Sequence, residues 1–129
     1  MGPVVGTAVD ASVVIAWQNP SHVFHSAATQ MLAGAKPPLH MCELNTAEVL
    51  VGLAREAWPA FLSMLVEAGF VFCAPDALAL AQARLDSRLR MPDAHVIATA
   101  RTQAADTILS LDKTLISAAT SLGFTTNVL

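Results

Sequence analysis

The sequence predicts one α/β domain, residues 1–129, with a mostly parallel five-stranded sheet sandwiched between helices in three layers. Two observations point there. Short apolar runs bounded by Gly, Pro, Asn or Asp alternate with helical stretches along the whole chain. Hydrophobic residues make up 54% of the 129 and charged ones 13%, which is enough apolar material for a proper core and too little charge for disorder. No apolar run reaches the roughly 18 residues that a membrane span needs.

The first strand is expected over Val4–Val9, followed by a short helix, Val13–Trp17, that Ser12 can cap. Ser21 is placed to cap a helix running through Ala33, and Leu39–Cys42 is the second strand. A helix over Thr46–Ala57 with an apolar stripe of Leu50, Leu53, Ala54 and Ala57 comes next. Pro59 then opens a helix that Gly69 ends. Phe70–Ala74 is the third strand, and Pro75-Asp76 leads into an Ala/Leu helix to about Leu89. After Pro92 a helix is expected from Asp93 to about Ala104, then the strand Thr107–Leu111, the helix Lys113–Leu122 and an edge strand Phe124–Val128. Cys42 and Cys73 lack metal-ligand spacing and read as reduced core thiols of a cytoplasmic protein.

In an open α/β sheet, chemistry collects beyond the carboxyl ends of the strands. Asp10 and Asp112 both end strands, Asp93 heads the inward row that continues through Ile97 and Ala100, and Glu48 falls in the first turn of its helix beside Leu44 and Val51. Each acid has a plainer reading as a helix cap or first-turn residue favoured by the dipole. Together they form a convergent pattern. Four carboxylates cannot stay ionised side by side without a counter-charge, and an all-oxygen ligand set suits Mg²⁺ or Mn²⁺ rather than zinc. Such ions activate water and stabilise the leaving oxygen in phosphodiester hydrolysis, which points to a nuclease.

Val9-Asp10-Ala11-Ser12, Asn45-Thr46-Ala47-Glu48-Val49-Leu50, the block Pro92-Asp93-Ala94-His95-Val96-Ile97-Ala98-Thr99-Ala100, and Leu109-Ser110-Leu111-Asp112 resemble the PIN-domain ribonucleases, most closely the VapC toxins of bacterial toxin–antitoxin pairs. The likeness covers essentially the whole chain. It implies a PIN-like sandwich, with Asp10, Glu48, Asp93 and Asp112 as metal-binding acids and Ser110 as the hydroxyl that supports them. It also implies Mg²⁺- or Mn²⁺-dependent endonucleolytic cleavage of RNA, often tRNA or rRNA, together with a VapB-type antitoxin partner and a homodimer. The pattern departs after Asp112, where many relatives carry another acid and an aromatic and this chain has Lys113-Thr114-Leu115.

Arg88 and Arg90, just before Asp93, are candidates for holding RNA phosphates, against the alternative of a solvated basic helix end. The net charge of −3 argues against a protein that merely coats nucleic acid, but four acids committed to metal would leave seven basic residues against six acidic. Two other readings compete: a catalytically silent PIN-like module that binds RNA or protein, and a phosphoaspartate protein. A phosphatase of the second kind needs an Asp two positions after its nucleophile, where this chain has Ser12.

Overall fold

The computed structural model describes residues 6–128. Five parallel strands lie in the order β3-β2-β1-β4-β5: β1 Thr7–Val9, β2 Leu39–Cys42, β3 Phe70–Cys73, β4 Thr107–Leu109 and β5 Thr125–Thr126. The part of the expected first strand at Val4 and Val5 lies outside the described residues. The chain starts in the middle of the sheet, steps outward to β2 and β3, then returns to β4 on the other side of β1. The carboxyl ends of β1 and β4 therefore flank the topological switch point, where ligand sites of open α/β sheets form.

Side chains alternate across the sheet, and each face is roofed by helices. Ala8 and Ile108 face a core closed by α5 (Ala77–Ser87), α6 (Met91–Thr102) and α7 (Lys113–Ser121). Val9, Leu39, Met41 and Leu109 face the other core, under α1 (Ala11–Gln18), α2 (His25–Ala33), α3 (Glu43–Leu50) and α4 (Trp58–Glu67). Trp17 and Phe70 stack there with ring centroids 6.3 Å apart. Helix α6 is the most enclosed, burying Ala94 and the run Val96–Ala100. Four of these six residues are Ala or Thr, small enough for α6 to lie close against both the sheet and α5. Among the described residues no helix is long and apolar enough to cross a membrane.

The elements differ from the sequence expectation at their ends. Helix α3 begins at Glu43 and stops at Leu50, short of Ala57; a turn and a 3-10 segment at Arg55–Ala57 join it to α4. The indole N–H of Trp58 donates to the carbonyls of Leu50 (2.6 Å) and Leu53 (3.3 Å), satisfying groups that the ended helix leaves open. Neither serine caps as expected: Asp10 is the N-cap of α1, and α2 starts only at His25 with Phe24 before it. The last strand is two residues rather than five. At the opposite end of the sheet from the acids, buried His40 has no hydrogen-bond partner for either ring nitrogen among the described residues. Burial lowers its pKa and keeps the ring neutral.

Candidate functional site

Asp10 is the centre of the site. Its N–H donates to the Leu109 carbonyl at 3.0 Å, carrying the β1–β4 ladder one residue past the strand. The extended backbone of Asp10 then turns into α1, yet the carboxylate makes no cap bond to that helix. Instead Oδ2 accepts from the hydroxyls of Ser12 at 2.6 Å and Ser110 at 2.8 Å. The residue is 6% exposed. Burial raises its pKa above the ordinary value, the two hydroxyls oppose that shift, and the charge of Glu48 adds to it. The result is a desolvated carboxylate held in a fixed orientation, with hydroxyl donors and no cation among the groups that act on it.

The same two serines tie in the chain after β4. Ser110, fully buried, accepts the Asp112 N–H on its Oγ at 2.9 Å, and Ser12 Oγ accepts the Leu111 N–H at 3.0 Å. Asp112 caps α7, its Oδ1 accepting from the backbone N–H groups of Thr114 (2.8 Å) and Leu115 (3.4 Å). Its helix-cap reading and its place beside Ser110 are both realised, one through the side chain and one through the main chain.

The other two acids stand on helices. Because α3 starts at Glu43, Glu48 lies in the second turn and not the first, on a face where Leu44 and Val51 are exposed. Its Oε1 accepts from Asn45 Nδ2 at 2.8 Å. Buried Asn45 also donates to the Pro92 carbonyl (3.1 Å) and accepts from the Cys42 thiol (2.9 Å), so one amide joins α3, α6 and β2. Asp93, half-buried in the first turn of α6, has its pKa raised by burial and by the charges of Asp10, Asp112 and Glu48, while Arg90 lowers it. The other three acids therefore all act on Asp93 through their charge.

They do not close further. Among the described residues no three His, Cys, Asp or Glu side chains converge as a ready ligand set. Asp112 Oδ1 and Glu48 Oε1 are each engaged by the fold. The chemistry of the set nonetheless suits a hard divalent cation: every donor is an oxygen, and the excess negative charge around Asp93 is what such an ion would offset.

Arg88 is exposed at the C-cap of α5 in the left-handed conformation, with φ of 61°, and Arg90 is the exposed N-cap of α6. Arg101 is paired with Asp86 at 2.8 Å and takes no part here. His22 and His25 share no ligand position: His22 Nδ1 accepts the Phe24 N–H, and His25 Nδ1 bonds the Ala16 carbonyl. His95 Nδ1 donates to the Met91 carbonyl. Cys42 and Cys73 are free thiols, their pKa values pushed up by burial. Sequence reasoning did not single out Asn45, although its place three residues before Glu48 on one helix puts the two on the same face.

The PIN domain family model matches residues 7–120, and the chain belongs to that family. Solved structures similar to it include the Mycobacterium tuberculosis toxin VapC20, described as cleaving the sarcin-ricin loop, at 22% identity and a TM-score of 0.69, covering 92% of this chain and 95% of that one. FitAcB from Neisseria gonorrhoeae matches at 16% identity and a TM-score of 0.65, covering 95% and 96%. A toxin-antitoxin complex from Klebsiella pneumoniae matches at 19% and 0.64, covering 82% and 86%. No curated protein sequence is similar enough to match.

Proposed function

We propose that this chain is a Mg²⁺- or Mn²⁺-dependent endoribonuclease, the toxin of a VapC-type toxin–antitoxin pair. The observation that carries the reading is the buried Asp10, clamped by Ser12 and Ser110 at the switch point, with the charges of Asp112 and Glu48 around neighbouring Asp93. Asp10, Glu48, Asp93 and Asp112 would hold the metal; when bound, it supplies charge neutralisation and an activated water for phosphodiester hydrolysis. Ser110 orients Asp10. Arg90, whose charge acts on Asp93, and Arg88, exposed at the end of α5, are the candidates to take backbone phosphates. The substrate class is RNA, tRNA or rRNA, in keeping with the sarcin-ricin loop that the name of one similar structure gives as its target. A VapB-type antitoxin is the expected partner, in keeping with the similar Klebsiella structure being a toxin-antitoxin complex. Exposed Val23, Phe24, Leu78 and Leu85 supply apolar surface for a partner or a second copy. The proposed location is the cytoplasm.

One observation favours a second reading, a silent PIN-like module that binds RNA or protein: among the described residues no three of the acids are assembled as a ready ligand set. Cleavage of total cellular RNA with Mg²⁺ or Mn²⁺ separates the two, with EDTA and an identically prepared Asp93→Asn variant as controls. Discrete products that vanish in both controls are expected. Equal background from every sample, with no Mn²⁺ uptake by calorimetry, would leave the silent module.

A further inference from the structure

The last described residues supply a side chain that neither sheet nor helix requires. The β4–β5 ladder pairs Thr107 with Thr125 and Ile108 with Thr126, and there β5 ends while β4 runs on to Leu109. One residue later the carboxamide of Asn127 turns back to Ser110. Its Oδ1 accepts the Ser110 N–H at 2.8 Å and its Nδ2 donates to the Ser110 carbonyl at 2.8 Å. The amide thus satisfies both main-chain groups of Ser110, which in a continued parallel ladder would pair with two different residues. Among neutral side chains only Asn and Gln offer a donor and an acceptor in this planar arrangement.

What the clasp holds is the residue on which half of the acidic site depends. The Ser110 hydroxyl has one proton, which it gives to Asp10 Oδ2, and its lone pair takes the Asp112 N–H. Both bonds need the Ser110 main chain at one position, beyond the point where β4 has regular strand neighbours. We propose that Asn127 is a positioning residue for the acidic site: by gripping Ser110 through both its N–H and its C=O, it lets one hydroxyl set Asp10 and Asp112 relative to each other. This rests on the reading that Asp10 and Asp112 take up the divalent ion.

The test uses the full chain with Asn127→Ala, and with Thr126→Ala as comparator. Thr126 lies on the same strand and bonds only Thr120 by its hydroxyl, at 3.1 Å, so Thr126→Ala loosens the strand without touching the clasp. Amide exchange by NMR on metal-free protein reads the clasp directly. Asn127→Ala should expose the Ser110 and Asp112 amides to exchange at least about tenfold faster, and Thr126→Ala should leave them within about twofold. Mn²⁺ affinity by calorimetry should fall about tenfold in Asn127→Ala alone, as for other groups that orient metal ligands. Unchanged amides in Asn127→Ala, an equal change in Thr126→Ala, or altered amides with undiminished Mn²⁺ affinity would each overturn the proposal. If wild-type protein takes up no Mn²⁺, the metal reading fails instead, and the clasp is then decided by the two amides. Should Asn127→Ala not fold, Asn127→Ser, which also cannot reach both groups, serves with the same readouts.

Discussion

Two halves of the acidic site are built differently. Asp10 and Asp112 follow strand ends, and the buried Ser110 hydroxyl, 100 residues from Asp10 in the chain, ties the Asp10 carboxylate to the Asp112 N–H with bonds of 2.8 and 2.9 Å. Glu48 and Asp93 ride on α3 and α6, joined only indirectly, through Asn45 reaching Glu48 Oε1 and the Pro92 carbonyl. In the strand half Asp10 is desolvated and fixed in orientation, and half-buried Asp112 is held by its cap bonds to α7. The helical half is more exposed, and Asp93 there sits among three other acids with Arg90 as partial relief. On the proposed metal reading, the rigid buried carboxylate would hold the ion and the softer charged rim would accommodate what it acts on.

The sharpest way to break the comparison is Asp10→Asn. The amide oxygen can still accept from Ser12 and Ser110, and a desolvated charge is removed. Thermal stability should be kept or raised, whereas cleavage should fall by ~100-fold or more with the loss of a central ligand. A parallel loss of stability and activity, measured by thermal unfolding and RNA cleavage, would mean that the residue is structural.

Asn45→Ala should do the reverse in the helical half. It removes three hydrogen bonds of a buried amide and leaves Glu48 untethered, costing about 2–3 kcal/mol in denaturant unfolding and about tenfold in cleavage. If the helical half is the softer one, cleavage should recover in part at high Mn²⁺ concentration; failure to recover would place Asn45 with the rigid half.

The smallest effect expected is a dependence on pH. Burial raises the carboxyl pKa of Asp10, and burial with the charges of Asp10 and Asp112 raises that of Asp93. Between the ordinary carboxylate value of 3.8 and the raised values, the folded metal-free protein binds more protons than the unfolded chain. The contribution of these two groups to stability is therefore full below 3.8 and declines as pH rises through the raised values. Added Mg²⁺ needs the carboxylates ionised, so the gain in Tm that it produces, a few degrees in size, should grow across the same window. A gain independent of pH, followed by thermal unfolding, would separate the ion from these acids.

Much of this was legible in the residues themselves. Alternating apolar runs and helical stretches are local properties, so the α/β class, the five strands and most helix positions follow from period and punctuation. The strand-end placement of Asp10 and Asp112 follows from the same pattern. The end of α3 was not legible, because Leu50, Leu53, Ala54 and Ala57 keep helical spacing while the Trp58 indole draws the Leu50 and Leu53 carbonyls out of the helix. The start of α3 at Glu43 rather than Thr46 likewise moves Glu48 from the first turn to the second.

By itself, then, the sequence determined which residues carry charge, where each strand hands over to a helix, and the family pattern in which the four acids stand. Only the tertiary structure decided what grips them. Ser12 had the local signature of a helix cap and became a ligand of Asp10. Asn45 tied two helices 47 residues apart in sequence, and Asn127 clasped Ser110 from 17 residues away. The physical reason is range: periodicity and capping act within a turn or two of chain, whereas a hydrogen-bond partner is chosen by which groups the sheet order brings within 3 Å.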